Sequence, residues 1–518
     1  MNRLELLALA VGVVLRIVRY LAPRPLWLDE AMIALNVLTR SPVGLLHPLD
    51  HNQISPVGFL WGEWVVTHLF GTGEKALRLL PLIAAIVALI AFARLARRLL
   101  EPELALLATA LAALSPLLIY YSAEVKSYGF DWLGAILVMH ATLTLIDRAS
   151  REAWIRWSLA AAFSAMVSTA APFFVAGSAL ALLAAPAVRR DGGVIRIAFA
   201  AAPAALLFVG HLVTAYDTPS TTSFMKVFWT EFFLVPRFPG GVIQAAHFAR
   251  EYWSTVLFGE YVSDALPRHS MGAILACSGI GAITLGMRSL PRVAMLLAPA
   301  ALVAVASVAK QWPLTPRLLL FAVPAVLITL PAGLGALSSV LPQRLRDPLR
   351  LVSIIALILA AAVGLPGTIR ADARFKDISQ ALRVEKRRTS NATIYLSADL
   401  VPACTYYLGW HPDRLENGAD TSERLCALRG ARTITGKWPS FVGLPPGLAT
   451  QFKKVIVPEW LDAEGGQILD QQSNEVWLLF GNNREVRSAL PAWLEAAGMS
   501  QFTESEVRGI QILGYRRN

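Results

Sequence analysis

The chain has 518 residues, 55% of them hydrophobic and only 16% charged, with a mean hydropathy of +0.52. A soluble domain carries about 25% charged residues, so an ordinary soluble protein is excluded. The net charge of +11 therefore reads as arginine placed for membrane topology, not as a nucleic-acid surface.

Apolar runs of about 18 residues or more read as membrane-spanning helices. In chain order they fall at about 5–22, 78–96, 103–120, 129–146, 157–171, 172–187, 197–215, 271–287, 293–309, 318–335 and 349–366. This predicts a polytopic α-helical membrane protein with about eleven transmembrane helices, the fifth and sixth of them short. The first run is expected to be retained, because no small-residue cleavage site follows it and Arg16 and Arg19 interrupt its end. Arginines cluster at 94–98, 148–156, 189–196, 288–292 and 344–350, always in alternate loops. The positive-inside rule makes those loops cytoplasmic. The N-terminus is then inside, and the loops at 23–77, 121–128, 216–270 and 310–317 face outward with everything after about 367. For a bacterium this places the protein in the inner (cytoplasmic) membrane.

The first outward loop opens on "RPLWLDEAM", with Asp29 and Glu30 adjacent, and continues through "HPLDHNQISPVGFLW", with His47, Asp50, His51 and Gln53. The second is "YYSAEVKSYGFD", which carries Glu124, Lys126, Tyr128 and Asp131. The third outward segment, the second long one, contains "FMKVFWTEFFLVPRF" and "AAHFAREYWSTVLF", both expected as interfacial amphipathic helices. The last outward turn, "KQWPLTPR", supplies Lys310 and Arg317. Ionisable groups at a membrane edge are costly and point to function. Each also has a plain reading. Asp29 could cap the helix beginning "EAMIALNVL", Glu124 and Lys126 could form a solvated turn, and Lys310 and Arg317 could snorkel. On a helix, neighbouring side chains point about 100° apart, so only one of Asp29 and Glu30 is expected to face a buried reacting centre.

Beyond about 370 the charge rises and membrane-length runs stop. "ATIYLSA" and "EVWLLFG" read as strands, "ALPAWLEAAG" as a glycine-terminated helix and "QFTESEVRGIQILGYRR" as a closing hairpin. The expected organisation is a transmembrane domain over 1–366 and an extracytoplasmic α/β domain over 367–518. Cys277 lies in a span, whereas Cys404 and Cys426 both lie in the outer region, where a disulfide would persist. No Cys/His cluster has zinc-ligand spacing, and no P-loop or dinucleotide fingerprint is present.

"LWLDEA", "NQISPVGFLW", "ALRLLP" and "YYSAEVKSYGFD", in this order, and more loosely "PLTPRLLLFAVPAVLITLPAGL", resemble glycosyltransferase family thirty-nine, the bacterial relatives of protein O-mannosyltransferases and lipid A aminoarabinose transferases. The resemblance implies a GT-C fold and an inverting transfer of sugar from a polyprenyl-phosphate carrier to a lipid, glycan or protein acceptor. It implies a base or organiser at Asp29 with Glu30 beside it, a Glu–x–basic–x–Tyr element at Glu124, Lys126 and Tyr128, and a phosphate ligand at Arg317. Lys310 and Gln53 are the further substrate-binding candidates, and Arg16 and Arg19 could add to the phosphate site. The aminoarabinose transferases carry Glu-Lys-Pro-Pro where this chain has Gln53-Ile54-Ser55-Pro56. The missing carboxylate and lysine leave a divalent metal, and lipid A as acceptor, open.

The alternatives are a transporter or flippase of lipid-linked sugar, a glycan polymerase or ligase, and a non-catalytic scaffold. Transporters concentrate charge and helix breaks near the bilayer midplane, whereas here the charge lies at the rim.

Overall fold

The computed structural model describes residues 3–190, 192–215, 226, 228–259, 268–369, 392–397, 400–409, 432–435, 458–471, 473–481, 484–507 and 510–517. The protein is a multi-pass helical bundle with a small sheet at its C-terminal end. Helix α1 spans Arg3–Leu21. Between it and the next long helix lie α2 (Leu28–Thr39), α3 (Val57–Phe70) and the single turn α4 (Glu74–Leu77). Then follow α5 (Leu79–Leu99), α6 (Pro102–Leu114), α7 (Pro116–Tyr120), α8 (Tyr128–Asp147), α9 (Arg151–Val167), α10 (Ala171–Ala184), α11 (Pro186–Arg190) and α12 (Gly193–Ala215). The bundle closes with α13 (Gly240–Phe258), α14 (Arg268–Arg288), α15 (Leu290–Val308), α16 (Val323–Ser339) and α17 (Gln343–Val363).

A helix stands at each of the eleven expected spans. Among the described residues seven are long and apolar enough to cross a membrane, or eight if a bent pair counts as one span. That pair is α6 with the α7 segment, bent by 47°. Pro116 has no N–H to continue the ladder of α6. The carbonyls it leaves are taken by Arg16, whose guanidinium donates to Ala112 O (3.1 Å), Ala113 O (3.3 Å) and its own helix at Gly12 O (2.9 Å). Arg16 is fully buried and Arg19 lies over the Tyr120 ring at 4.8 Å. Arg16 thus braces a helix break, a role different from the phosphate ligand it could have been. Helix α10 has 14 residues, about 21 Å at 1.5 Å per residue, short of a hydrocarbon core. It is tied to its neighbours through Trp157, whose indole N–H reaches both Ser178 Oγ (2.8 Å) and Thr142 Oγ1 (3.1 Å). Helices α14 and α16 cross at glycine: a Cβ on Gly281 would overlap the Thr329 carbonyl, and one on Gly333 the Cys277 carbonyl. Such small-residue contacts are the usual membrane substitute for hydrophobic driving force.

Of the helix expected over 224–238, residues 224, 225 and 227 lie outside the described residues and Lys226 and Phe228 are helical. Beyond Trp229 the chain makes a 3-10 turn at Thr230–Phe232, and Pro236 follows. "AAHFAREYWSTVLF" does lie within a helix, α13.

The C-terminal region brings β1 (Thr393–Leu396), the short helix α18 (Val401–Cys404) running into a π-helical turn at Thr405–Gly409, β2 (Arg432–Thr435), α19 (Pro458–Asp470), β3 (Glu475–Phe480), α20 (Arg484–Ala496), β4 (Met499–Val507) and β5 (Ile510–Arg517). The sheet order is β2-β1-β3-β5-β4, with β1 parallel to β2 and β3, and β5 antiparallel to β3 and β4. The expected strands, helix and hairpin are all present, and Gly498 ends the last helix with φ of 88°. Side chains alternate with period two. Ile394, Leu396, Trp477, Leu479, Ile510 and Ile512 join the core of the helical bundle. Tyr395, Leu478, Phe480, Leu513 and Tyr515 point the other way, into a second cluster with Leu490 and Leu494 of α20. Cys404 is disulfide-bonded and Cys277 is free. Cys426, the expected partner, lies outside the described residues.

Candidate functional site

The site is built at one end of the bundle, where α2 begins. The residue capping α2 is Trp27, so Asp29 stands inside the first turn and does not cap it. Glu30 turns inward and is fully buried. Its carboxylate receives Arg78 Nε (2.9 Å) and Nη2 (2.6 Å) in a bidentate pair, and also the backbone N–H groups of Val125 (3.0 Å) and Trp27 (3.2 Å). Arg78 in turn donates to the carbonyls of Arg24 (2.8 Å) and Pro25 (3.1 Å). One buried ion pair therefore joins the entry to α2, the start of α5 and the loop before α8. Burial pushes the Glu30 carboxyl up, but Arg78 and the hydrogen bonds outweigh it and hold the group below its ordinary value.

Asp29 turns the other way and remains 24% exposed, with its Oδ2 3.4 Å from Nη1 of Arg317, which is 23% exposed. The two are 288 residues apart in sequence. The Arg317 guanidinium is flanked by the rings of Trp229 (5.1 Å) and Trp27 (6.0 Å), a cation–π arrangement that fixes its plane. Lys126 donates to Gln53 Oε1 (2.6 Å), and the Gln53 amide nitrogen lies against His51 O (3.2 Å) and Met32 Sδ (3.1 Å). Burial lowers the affinity of Lys126 for its proton, Asp29 raises it and Arg317 lowers it again. Tyr128 is buried and meets Tyr121 edge to face at 4.9 Å. Glu124 is fully buried, and its carboxyl oxygens have no hydrogen-bond partner among the described residues. Burial raises this carboxyl, Glu30 adds to the effect, and Arg24, Arg317 and Arg19 oppose it without reversing it.

The structure thus gathers Asp29, Gln53, Lys126 and Arg317 from three loops, with Tyr128 and Glu124 within their electrostatic reach. It directs Glu30 away, into the buried clamp. Lys310 is exposed on a turn with φ of 55°, and among the described residues no hydrogen bond or ion pair joins its side chain to the others. Sequence reasoning missed Arg78, although a charge opening the apolar run of "ALRLLP" was its signal. It also missed Trp27 and Trp229, whose only signal was the aromatic richness of the outward loops. Among the described residues no group of three His, Cys, Asp or Glu side chains could hold a metal ion. Asp29 faces an arginine and Gln53 offers an amide, so the donor set does not fit a metal centre here.

Over residues 54–213 the chain matches the family model described as dolichyl-phosphate-mannose-protein mannosyltransferase. No curated protein matches it by sequence. Among solved structures it is similar to ArnT from Cupriavidus metallidurans bound to undecaprenyl phosphate, at 14% identity and a TM-score of 0.50, covering 98% of this chain and 97% of that one. It is also similar to the archaeal oligosaccharyltransferase AglB from Archaeoglobus fulgidus, in complex with an inhibitory peptide and a dolichol-phosphate. That match has 12% identity and a TM-score of 0.51, covering 99% of this chain and 74% of that one. Both likenesses run through the C-terminal sheet as well as the helices, and they identify the fold as GT-C-like.

Proposed function

We propose that this protein is an inverting glycosyltransferase that moves a sugar from a polyprenyl-phosphate carrier to a lipid, glycan or protein acceptor. The observation that carries the reading is the meeting of Asp29 with Arg317, beside Lys126, at one end of a membrane bundle. Attack on the anomeric carbon needs a base for the acceptor hydroxyl and cations for the departing phosphate. Asp29 takes the acceptor proton, the acceptor oxygen bonds to the anomeric carbon, and the carbon–oxygen bond to phosphate breaks with both electrons on the carrier phosphate. Arg317 and Lys126 receive that charge, Arg317 in a bidentate geometry. A carrier phosphate draws Arg317 from Asp29, which frees the carboxylate only when donor is present. Glu124 stays protonated through its burial, so it adds no negative charge against the phosphate. Gln53 orients Lys126, Tyr128 walls the same space, and Glu30 organises the site through Arg78.

The carriers named with the two structural relatives, undecaprenyl phosphate and dolichol-phosphate, support a polyprenyl-phosphate donor. The alternation of arginine-rich loops supports the extracytoplasmic face of the cytoplasmic membrane as the place of transfer, with the region after 366 on that side. The test is mass spectrometry of cell-envelope glycans from cells with the wild-type protein, with Asp29→Asn and with none. A modification present only with the wild type is expected. Identical glycans in all three would overturn the assignment.

A further inference from the structure

The chain that carries Asp29 is held by a second contact, which comes from nearly the other end of the sequence. In the π-helical turn Thr405–Gly409, the Tyr407 hydroxyl accepts a hydrogen bond from the backbone N–H of Leu26 (2.8 Å) and donates to the carboxylate of Glu74. Its neighbour Tyr406 donates to the carbonyl of Thr72 (2.8 Å). From the other side, Arg78 holds the carbonyls of Arg24 and Pro25. Residues 24–26 are therefore gripped between an arginine of the bundle and a tyrosine of the C-terminal region, immediately before the turn that carries Asp29. Leu26 precedes the capping residue of α2, so no helix can satisfy its N–H, and Leu26 is fully buried. A phenolic hydroxyl can accept and donate at one point. Burial, and then Glu74, raise the Tyr407 phenol, so its proton stays available to Glu74.

We infer that Tyr407 is a positioning residue for the Asp29 site: the C-terminal region fixes the catalytic loop through one hydroxyl joining Leu26 to Glu74. Tyr407 touches no reacting atom and acts only through the backbone it holds. The inference rests on the functional reading above for its consequence in catalysis, while its structural content is tested independently.

The experiment uses full-length protein in nanodiscs, read by hydrogen exchange with mass spectrometry and by titration with undecaprenyl phosphate. Tyr407→Phe keeps the ring and removes the hydroxyl. Exchange over residues 24–32 is expected to rise about two- to tenfold, the scale of one lost hydrogen bond. Exchange elsewhere and affinity for undecaprenyl phosphate should stay within about twofold, because Arg317 and Lys126 come from other loops. The envelope product should fall while carrier binding persists, a split that a general loss of structure does not give. Tyr406→Phe, whose bond goes to Thr72, should leave 24–32 at the wild-type rate. Glu74→Gln, which still accepts from Tyr407, should do the same. If Tyr407→Phe fails to fold, Glu74→Ala frees the Tyr407 hydroxyl from its anchor but leaves its bond to Leu26. It should raise exchange at 24–32 by a smaller factor and nowhere else, and no rise there would overturn the inference. Unchanged exchange at 24–32, or a rise shared by the whole protein, would overturn the inference. A wild type that binds no undecaprenyl phosphate would count against the functional reading alone.

Discussion

Asp29 and Glu30 are neighbours in sequence and opposite in circumstance. Glu30 is fully buried with four hydrogen bonds, whereas Asp29 is a quarter exposed and faces Arg317. Breaking a buried pair by removing one charge costs about 3–5 kcal/mol. Glu30→Gln should therefore lower the melting temperature markedly, because Arg78 keeps its charge and loses its partner. Asp29→Asn should leave the melting temperature near wild type and reduce transfer by about 10²–10⁴-fold. Thermal unfolding and transfer measured on the same two preparations check both halves, and equal loss of stability in the two would sink the division of roles. That the two acids would point different ways was legible from helical geometry. Which one was not, because it depends on Arg78, 48 residues away. Glu124 gives a pH signature. Its folded-state value is raised, so its contribution to stability is whole below the ordinary 4.5 and is lost as pH rises through the higher folded value. Glu30 has the opposite sign, its contribution being whole above 4.5 and lost as pH falls through a lower value. Melting curves against pH should show wild type losing ground to Glu124→Gln above about pH 4.5. Parallel curves would show that Glu124 is ionised in the folded protein.

At the scale of elements, hydropathy located the helices well, though among the described residues seven or eight, and not eleven, are long and apolar enough to cross a membrane. The run expected at 129–146 is α8, Tyr128–Asp147, and that at 78–96 is α5, Leu79–Leu99. The break inside the span expected at 103–120 was hidden by uniform apolarity, and its cause lies in Pro116 together with an arginine from another helix. The helix expected over 224–238 does not run to its end: Lys226 and Phe228 are helical, but a 3-10 turn at Thr230–Phe232 follows and Pro236 cannot continue a helix. The crossing of α14 and α16 can be tested directly. At Gly333 an added side chain would meet the backbone of Cys277, which cannot rotate away. Overpacking of this kind costs about 1–3 kcal/mol or more, so Gly333→Val should sharply reduce the recovered, monodisperse protein in size-exclusion chromatography. Gly210 in α12 has open space around its α-carbon, and Gly210→Val should elute as wild type.

At the scale of the whole molecule, the sheet serves two cores at once. Ile394, Leu396, Trp477 and Leu479 pack with the bundle, and Tyr395, Leu478 and Phe480 pack under α20. The strands could be read from their own composition. Their attachment to the bundle could not, because fully apolar strands carry no mark of which neighbour covers each face. Cys404 is disulfide-bonded and Cys277 free, so thiol labelling of denatured, unreduced protein should find one reactive cysteine of the three in the sequence. Three reactive thiols would remove both the bridge and the argument for an oxidising surround. The bond from Leu26 to Tyr407 spans 381 residues, and that separation matters during synthesis. At about 5–20 residues per second, the ribosome needs roughly twenty to eighty seconds to reach Tyr407 after Leu26 has been made. The helices can insert in that time, but the loop bearing Asp29 waits for its last restraint. A nascent chain, or one truncated before residue 407 of the 518, would reside in the membrane with residues 24–26 held by Arg78 and without the Tyr407 hydroxyl, so the last restraint on this loop is set late in synthesis.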